Sequence, residues 1–149
     1  GHILACDIHP RRLETLRRLA QRLGLNCIEP HLLDPHQPPP TGPFDAVLVD
    51  APCSNTGVLH RRPEARWRWR TQDLKTLTRR QAELLRQALA AVRPGGTLVY
   101  ATCSLEPEEN ERLIQELLRA FPRLEVDQEY HAIPGRPADG GYHVRLHCR

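Results

Sequence analysis

Two hydrophobic periods alternate along the chain. Residues 2–6, HILAC, form a short apolar run closed by Asp7, the pattern of a strand. In HPRRLETLRRLAQRLG the apolar spacing lengthens, so Leu13, Leu16, Leu19, Ala20 and Leu23 fall on one helical face. Pro10 suits the first turn of that helix and Gly24 its end. NCIEPH reads as a short strand and DPHQPPPTGP as a proline-rich loop. FDAVLVD is continuously apolar at its centre, as expected of a buried parallel strand. Residues 51–70 show no period and read as irregular, with a dense Arg/Trp cluster.

From Thr71 to Val92 the helical period returns, with Leu74, Leu77, Leu84, Leu85, Ala88, Leu89 and Val92 on one face. RPGG stops that helix. TLVYATCS is a second buried strand. PEENERLIQELLRAF is a helix with Pro107 near its start and acids in its first turn, which complement the dipole. RLEVDQEY and YHVRLHC read as terminal, antiparallel strands. The order of elements predicts an α/β fold with a mostly parallel, doubly wound sheet. Ligands of such sheets sit beyond the carboxyl ends of strands. Asp7, Asp34, Asp50 and Cys103 all fall at or just after predicted strand ends.

Length and composition sharpen this picture. At 149 residues with 40% apolar content, the chain suits one domain with a real core. The net charge of +3 decides little, but its distribution is uneven. From His60 to Arg93 ten Lys/Arg face three acids, a local excess of seven positive charges. Such a field attracts polyanions; it also fits a solvated arginine-rich helix face. The five cysteines are odd in number and lack a CxxC spacing, and no signal peptide or long apolar run is visible. This points to free thiols in a reducing, cytoplasmic setting, with no membrane segment and no metal site. The chain contains no methionine and opens in mid-strand, so it reads as a fragment of a longer protein.

Four places could carry chemistry. Asp7 can accept hydrogen bonds from ribose hydroxyls, or serve only to start the helix after it. Asp34 can accept from an adenine amine, or make an Asx turn before Pro35. In Asp50-Ala51-Pro52-Cys53, proline turns the backbone out of the sheet, and Asp50 can bind a base edge with a ring nitrogen and an exocyclic amine. Alone, Cys53 would be a small buried residue. Cys103 ends a buried strand shortly before a helix, where a helix N-terminus and basic residues can lower a thiol pKa and make a nucleophile. Both cysteines precede a serine.

DAPCSNTGVLHRRPEARWRW and GGTLVYATCSLEPEENE resemble two signature motifs of the S-adenosylmethionine-dependent RNA cytosine-C5 methyltransferases. Within that group the bacterial small-subunit rRNA enzymes of the Sun/Fmu type are the most similar. The resemblance implies a Rossmann-like methyltransferase fold and a single partial catalytic domain over residues 1–149. It implies Cys103 as nucleophile and Cys53 as the residue that helps release product. Asp50 and Pro52 would hold the target cytosine. Asp7 and Asp34 would bind the ribose and adenine of S-adenosylmethionine, with Asp50 near its methionine end. Arg62, Arg66 and Trp67 would meet RNA, at a single-stranded or loop cytosine. The family's first strand, its glycine-rich loop and that loop's lysine are not among these residues, so poor cofactor binding and low stability are expected of the chain alone. Asn55 stands where a small residue is usual, and Gly141 where an aromatic is usual. Two other readings remain at this point: a non-catalytic RNA-binding module, and a dinucleotide oxidoreductase without a visible GxGxxG.

Overall fold

The computed structural model describes every residue except 35–36, 69 and 136–137, and the backbone alone at 65, 68 and 71. The Asx turn before Pro35 and one tryptophan of the Arg/Trp cluster, Trp69, therefore lie outside the described residues. The chain forms two compact units, Gly1–Pro40 and Thr41–Arg149.

The first unit is a strand–helix–strand. β1 (Ile3–Asp7) and β2 (Ile28–Leu32) pair in parallel, with Ile3 opposite Ile28 and Asp7 opposite Leu32. α1 (Pro10–Arg22) joins them. Pro10 occupies its first turn as expected, and Gly24, with φ +66°, follows its end. The buried stripe of α1 is narrower than the apolar face read from the sequence. Leu13 and Ala20 are buried, whereas Leu19 and Leu23 are exposed.

The second unit carries a four-stranded mixed sheet in the order β3-β4-β6-β5. β3 (Phe44–Asp50) and β4 (Val92–Thr102) are parallel, joined by α2 (Pro63–Arg68) and α3 (Thr71–Ala91). α4 (Glu111–Ala120) leads to β5 (Leu124–Ala132), and β6 (Gly141–Cys148) enters between β4 and β5, antiparallel to both. The antiparallel ending matches the sequence reading; the strands fall into two sheets rather than one.

The core lies where α3 and α4 cover one face of this sheet. Leu98, Tyr100, Val144 and Leu146 are fully buried against Leu85, Ala88, Leu113, Ile114 and Leu117. Each such large side chain contributes roughly 1.5–3 kcal/mol of burial. β6 alternates strictly: Tyr142, Val144 and Leu146 face in, His143, Arg145 and His147 face out. β3 departs from expectation. It is an edge strand among the described residues, and Leu48 is 67% exposed. Its apolar run reads as two-sided burial, yet only one face meets this unit's core.

Three local boundaries also differ. Residues 51–70 are not irregular throughout: they hold a 3₁₀ turn at Thr56–Val58 and the six-residue α2. RPGG follows the end of α3 as a bulge within β4, where Phe44 opposes Val92 but Ala46 opposes Thr97, and Gly95 takes φ +73°. α4 begins at Glu111, so Pro107, Glu108 and Glu109 lie in the turn before it.

Candidate active site

The parallel pair β3–β4 sets the site. Ala51 N–H donates to the Ala101 carbonyl at 3.0 Å, which extends the ladder past Asp50. The two chains then diverge into loops that carry Cys53 and Cys103 side by side. Their sulfurs are 3.2 Å apart. Neither cysteine is in a disulfide, and both are half-buried. Asn55 shapes the first loop. It adopts the left-handed conformation (φ 61°), which Asn tolerates better than most residues. Its Nδ2 donates to the Cys53 carbonyl at 2.8 Å, and its Oδ1 accepts from the Cys103 thiol at 3.1 Å.

The two thiols differ in acidity. Cys103 is lowered to about 7, chiefly because Cys53 donates a hydrogen bond to its sulfur. Burial and the Asp50 carboxylate oppose this, and the Arg62 guanidinium assists. Cys53 is held well above the ordinary thiol range, first by that same hydrogen bond and then by burial. So the pair shares one proton, and Cys103 is the member that ionises. The sequence reading attributed a lowered thiol pKa to a helix N-terminus and basic residues. The partner thiol is the larger cause, and α4 starts eight positions beyond Cys103.

A buried polar layer supports the loops: Ser54, Gln81, Thr102, Ser104, Glu109 and Asn110. Thr102 Oγ1 donates to Asn110 Oδ1 at 2.7 Å, and Asn110 Nδ2 donates to the Ser104 carbonyl at 3.0 Å. Tyr100 OH donates to the Glu109 carbonyl at 2.8 Å. None of these was picked out from sequence, although the serine after each cysteine was a usable signal. The acids here read as first-turn partners of the helix dipole; Glu109 instead lies before α4 and is fully buried.

The rim of the site is basic. Arg62, Arg66 and Trp67 are exposed, Trp67 at 85%. His60 Nε2 and Arg61 Nε lie 2.9 and 3.2 Å from the Asp139 carboxylate, which ties the basic loop to residues 139–141. Backbone bonds strengthen that tie: Gly140 N–H donates to the Gly57 carbonyl at 2.9 Å, and Gly57 N–H to the Cys103 carbonyl at 3.0 Å. A Cβ on Gly57 would lie 2.3 Å from the Gly140 oxygen, so only glycine fits. Gly141 is equally confined, since its Cβ would lie 2.7 Å from the Thr102 oxygen.

The remaining expected site residues are placed as follows. Asp50 is exposed at the end of β3, and Pro52 is exposed with its carbonyl accepting from Gln81 Nε2 at 2.9 Å. In the first unit, Asp7 accepts from His9 N–H at 2.8 Å and lies 3.4 Å from Arg12 Nη1. Asp34 accepts from Gln37 Nε2 at 3.0 Å. Asp7 thus bonds the backbone at the start of α1, and Asp34 bonds a side chain of the loop that follows it. Among the described residues no group of three or more His, Cys, Asp or Glu is placed to hold a metal, and no helix is long and apolar enough to cross a membrane.

Strand–helix repeats with Asp7, Asp50 and Cys103 at or just past the carboxyl ends of parallel strands, closed by an antiparallel pair, make this a Rossmann-like α/β fold. A solved protein, PH0851, superposes with a TM-score of 0.90 at 31% identity, over 98% of this chain and 37% of that one. A methyltransferase homologue from Pyrococcus horikoshii gives 0.79 at 28% identity, over all of this chain and 54% of the other. The chain belongs to the RsmB/F family of 16S rRNA methyltransferases, whose sequence pattern matches residues 1–145. Ribosomal RNA small subunit methyltransferase B of Klebsiella pneumoniae (strain 342) is 42% identical over 144 residues. That match covers 95% of this chain and 32% of the relative, so the chain spans about a third of that protein's length.

Proposed function

We propose that residues 1–149 are the cysteine-bearing part of a catalytic domain that methylates carbon 5 of a cytosine in small-subunit rRNA. The observation that carries this is the thiol pair: two sulfurs 3.2 Å apart with divergent acidities at the ends of adjacent strands. Membership of the RsmB/F family supports the RNA substrate.

Carbon 5 of cytosine is a poor nucleophile. Addition of the Cys103 thiolate to carbon 6 turns the ring into an enamine and makes carbon 5 nucleophilic. Asp50, close enough to Cys103 to oppose its charge, accepts from the exocyclic amine, and in its protonated form its carboxyl donates to ring nitrogen 3 and so assists the addition. Pro52 shapes the wall beside it. Bound S-adenosylmethionine supplies the electrophilic methyl group. The acceptor carboxylates of Asp7 and Asp34 suit ribose hydroxyls and an adenine amine, and Asp50 suits the methionine ammonium. After transfer, a base removes the carbon 5 proton, the ring electrons reform the 5–6 double bond, and the carbon 6–sulfur bond breaks. Cys53 keeps its proton, so it serves the departing thiolate rather than attacking.

The target base must be unstacked, which suits a single-stranded or loop cytosine. Trp67 offers a stacking surface, and Arg62 and Arg66 offer phosphate contacts. Such an enzyme works in the cytoplasm, where rRNA is made in bacteria.

RNA carrying 5-fluorocytidine at the target tests the reading, because fluorine cannot leave as the carbon 5 proton does. The full-length protein forms a covalent adduct that persists in denaturing gels, and Cys103→Ala abolishes it. An adduct that survives Cys103→Ala rules out Cys103 as the nucleophile.

A further inference from the structure

One carboxylate reaches both cysteine loops. Glu109 Oε1 accepts from Ser54 N–H at 3.0 Å and from Gln81 Nε2 at 2.8 Å. Its Oε2 accepts from the hydroxyls of Ser54 and Ser104, each at 2.5 Å. Ser54 follows Cys53, and Ser104 follows Cys103. Gln81 also donates to the Pro52 carbonyl, on the other side of Cys53. Glu109 is fully buried, and among the described residues no cation pairs with it. A buried carboxylate without a cation is costly, and convergent donors offset that cost. Removing the carboxylate would in turn leave four buried donors without their acceptor.

We infer that Glu109 is a positioning residue whose carboxylate ties the Cys53 and Cys103 loops together and sets their sulfur–sulfur spacing. Four donors from three residues converge on two oxygens. Glutamine has the same shape, but it replaces one acceptor oxygen by an N–H donor. Its amide nitrogen only donates, so the serine hydroxyls must turn to accept from it and the charge-assisted bonds that hold the two loops are lost. The spacing then widens, and the hydrogen bond from Cys53 that makes Cys103 acidic weakens. The role in methyl transfer rests on the reading proposed above; the clamp itself is measurable without RNA.

The experiment is the pH profile of Cys103 alkylation by iodoacetamide in the full-length protein, followed by mass spectrometry of the Cys103 peptide. The wild-type midpoint lies near 7. For Glu109→Gln the midpoint rises by one unit or more, which slows alkylation at pH 7 about fivefold and leaves the rate at pH 9.5 nearly unchanged. Ser104→Ala, which removes one donor, shifts it in the same direction by less. Leu146→Ala, a core truncation that does not touch the carboxylate, destabilises the protein and leaves the midpoint in place. A folded Glu109→Gln protein with an unmoved midpoint overturns the inference, as does an equal shift in Leu146→Ala. If Glu109→Gln shows no cooperative melt, Ser104→Ala decides: an unmoved midpoint there overturns it. A midpoint that shifts while the wild type forms no fluorocytidine adduct sinks the catalytic reading and leaves the clamp standing.

Discussion

Removing the Cys53 sulfur separates the two duties of the thiol pair. In Cys53→Ala, Cys103 loses the hydrogen bond that is the main cause of its acidity. Its pKa returns from about 7 toward the ordinary thiol value of about 8.5 or above, since burial now acts unopposed by the partner. At pH 7 the thiolate fraction falls from about one half to about 3%, so addition to an electrophile slows roughly 16-fold. At pH 9 the same shift costs only about 1.3-fold. The defect therefore belongs to neutral pH and disappears as pH rises. Site-resolved iodoacetamide alkylation between pH 5.5 and 9.5 reads the midpoint directly. With RNA the release role proposed for Cys53 predicts a second effect of opposite sign, slower release of the adduct at every pH. Covalent RNA complex in Cys53→Ala is scarce at pH 7 and accumulates toward pH 9. A Cys103 midpoint that stays near 7 without Cys53 refutes the hydrogen-bond origin of the acidity. The double variant Cys53→Ala/Glu109→Gln adds a coupling test: its midpoint matches Cys53→Ala alone, because both changes remove one interaction.

Two further outcomes follow from the loop geometry. Gly57→Ala forces a Cβ to within 2.3 Å of a backbone oxygen, so the tie between residues 57 and 140 breaks; hydrogen exchange at the amides of positions 57 and 140 accelerates by about an order of magnitude or more while β4–β6 amides stay protected. Trp67→Ala removes an exposed stacking surface and weakens binding of a single-stranded target RNA by about 1–3 kcal/mol, measured by fluorescence titration, with no change in the Cys103 alkylation midpoint.

Much of this arrangement can be read from the chain, for identifiable reasons. FDAVLVD is bounded by Pro43 before and Ala-Pro after, so its limits as β3 match the reading residue for residue. α3 is long and strongly periodic, and its predicted span misses by one residue at the C-terminal end. Six residues from Pro63 are too few to display a helical period, so α2 was not legible. The start of α4 was misplaced because Glu109 and Asn110 resemble helix-starting residues. Both are drawn inward instead by partners some distance away in sequence, Ser54 and Gln81 for Glu109 and Thr102 for Asn110. Local pattern cannot report such partners. The cysteines were legible as a pair because each follows a strand end and precedes a serine. Their division of labour followed from the resemblance, whereas the physical origin of Cys103's acidity needed the 3.2 Å contact.

The strand order β3-β4-β6-β5 has a consequence for biosynthesis. β4, which delivers Cys103, has β6 as its neighbour on one side, and Gly141, where β6 begins, is 39 positions after Thr102 (141 − 102). At about 5–20 residues per second the ribosome leaves that edge without its partner for roughly 2–8 seconds. During that interval the bond from Gly140 to the Cys53 loop also does not exist. The backbone frame around the Cys53 and Cys103 loops is thus complete only once the closing strand has entered the middle of the sheet.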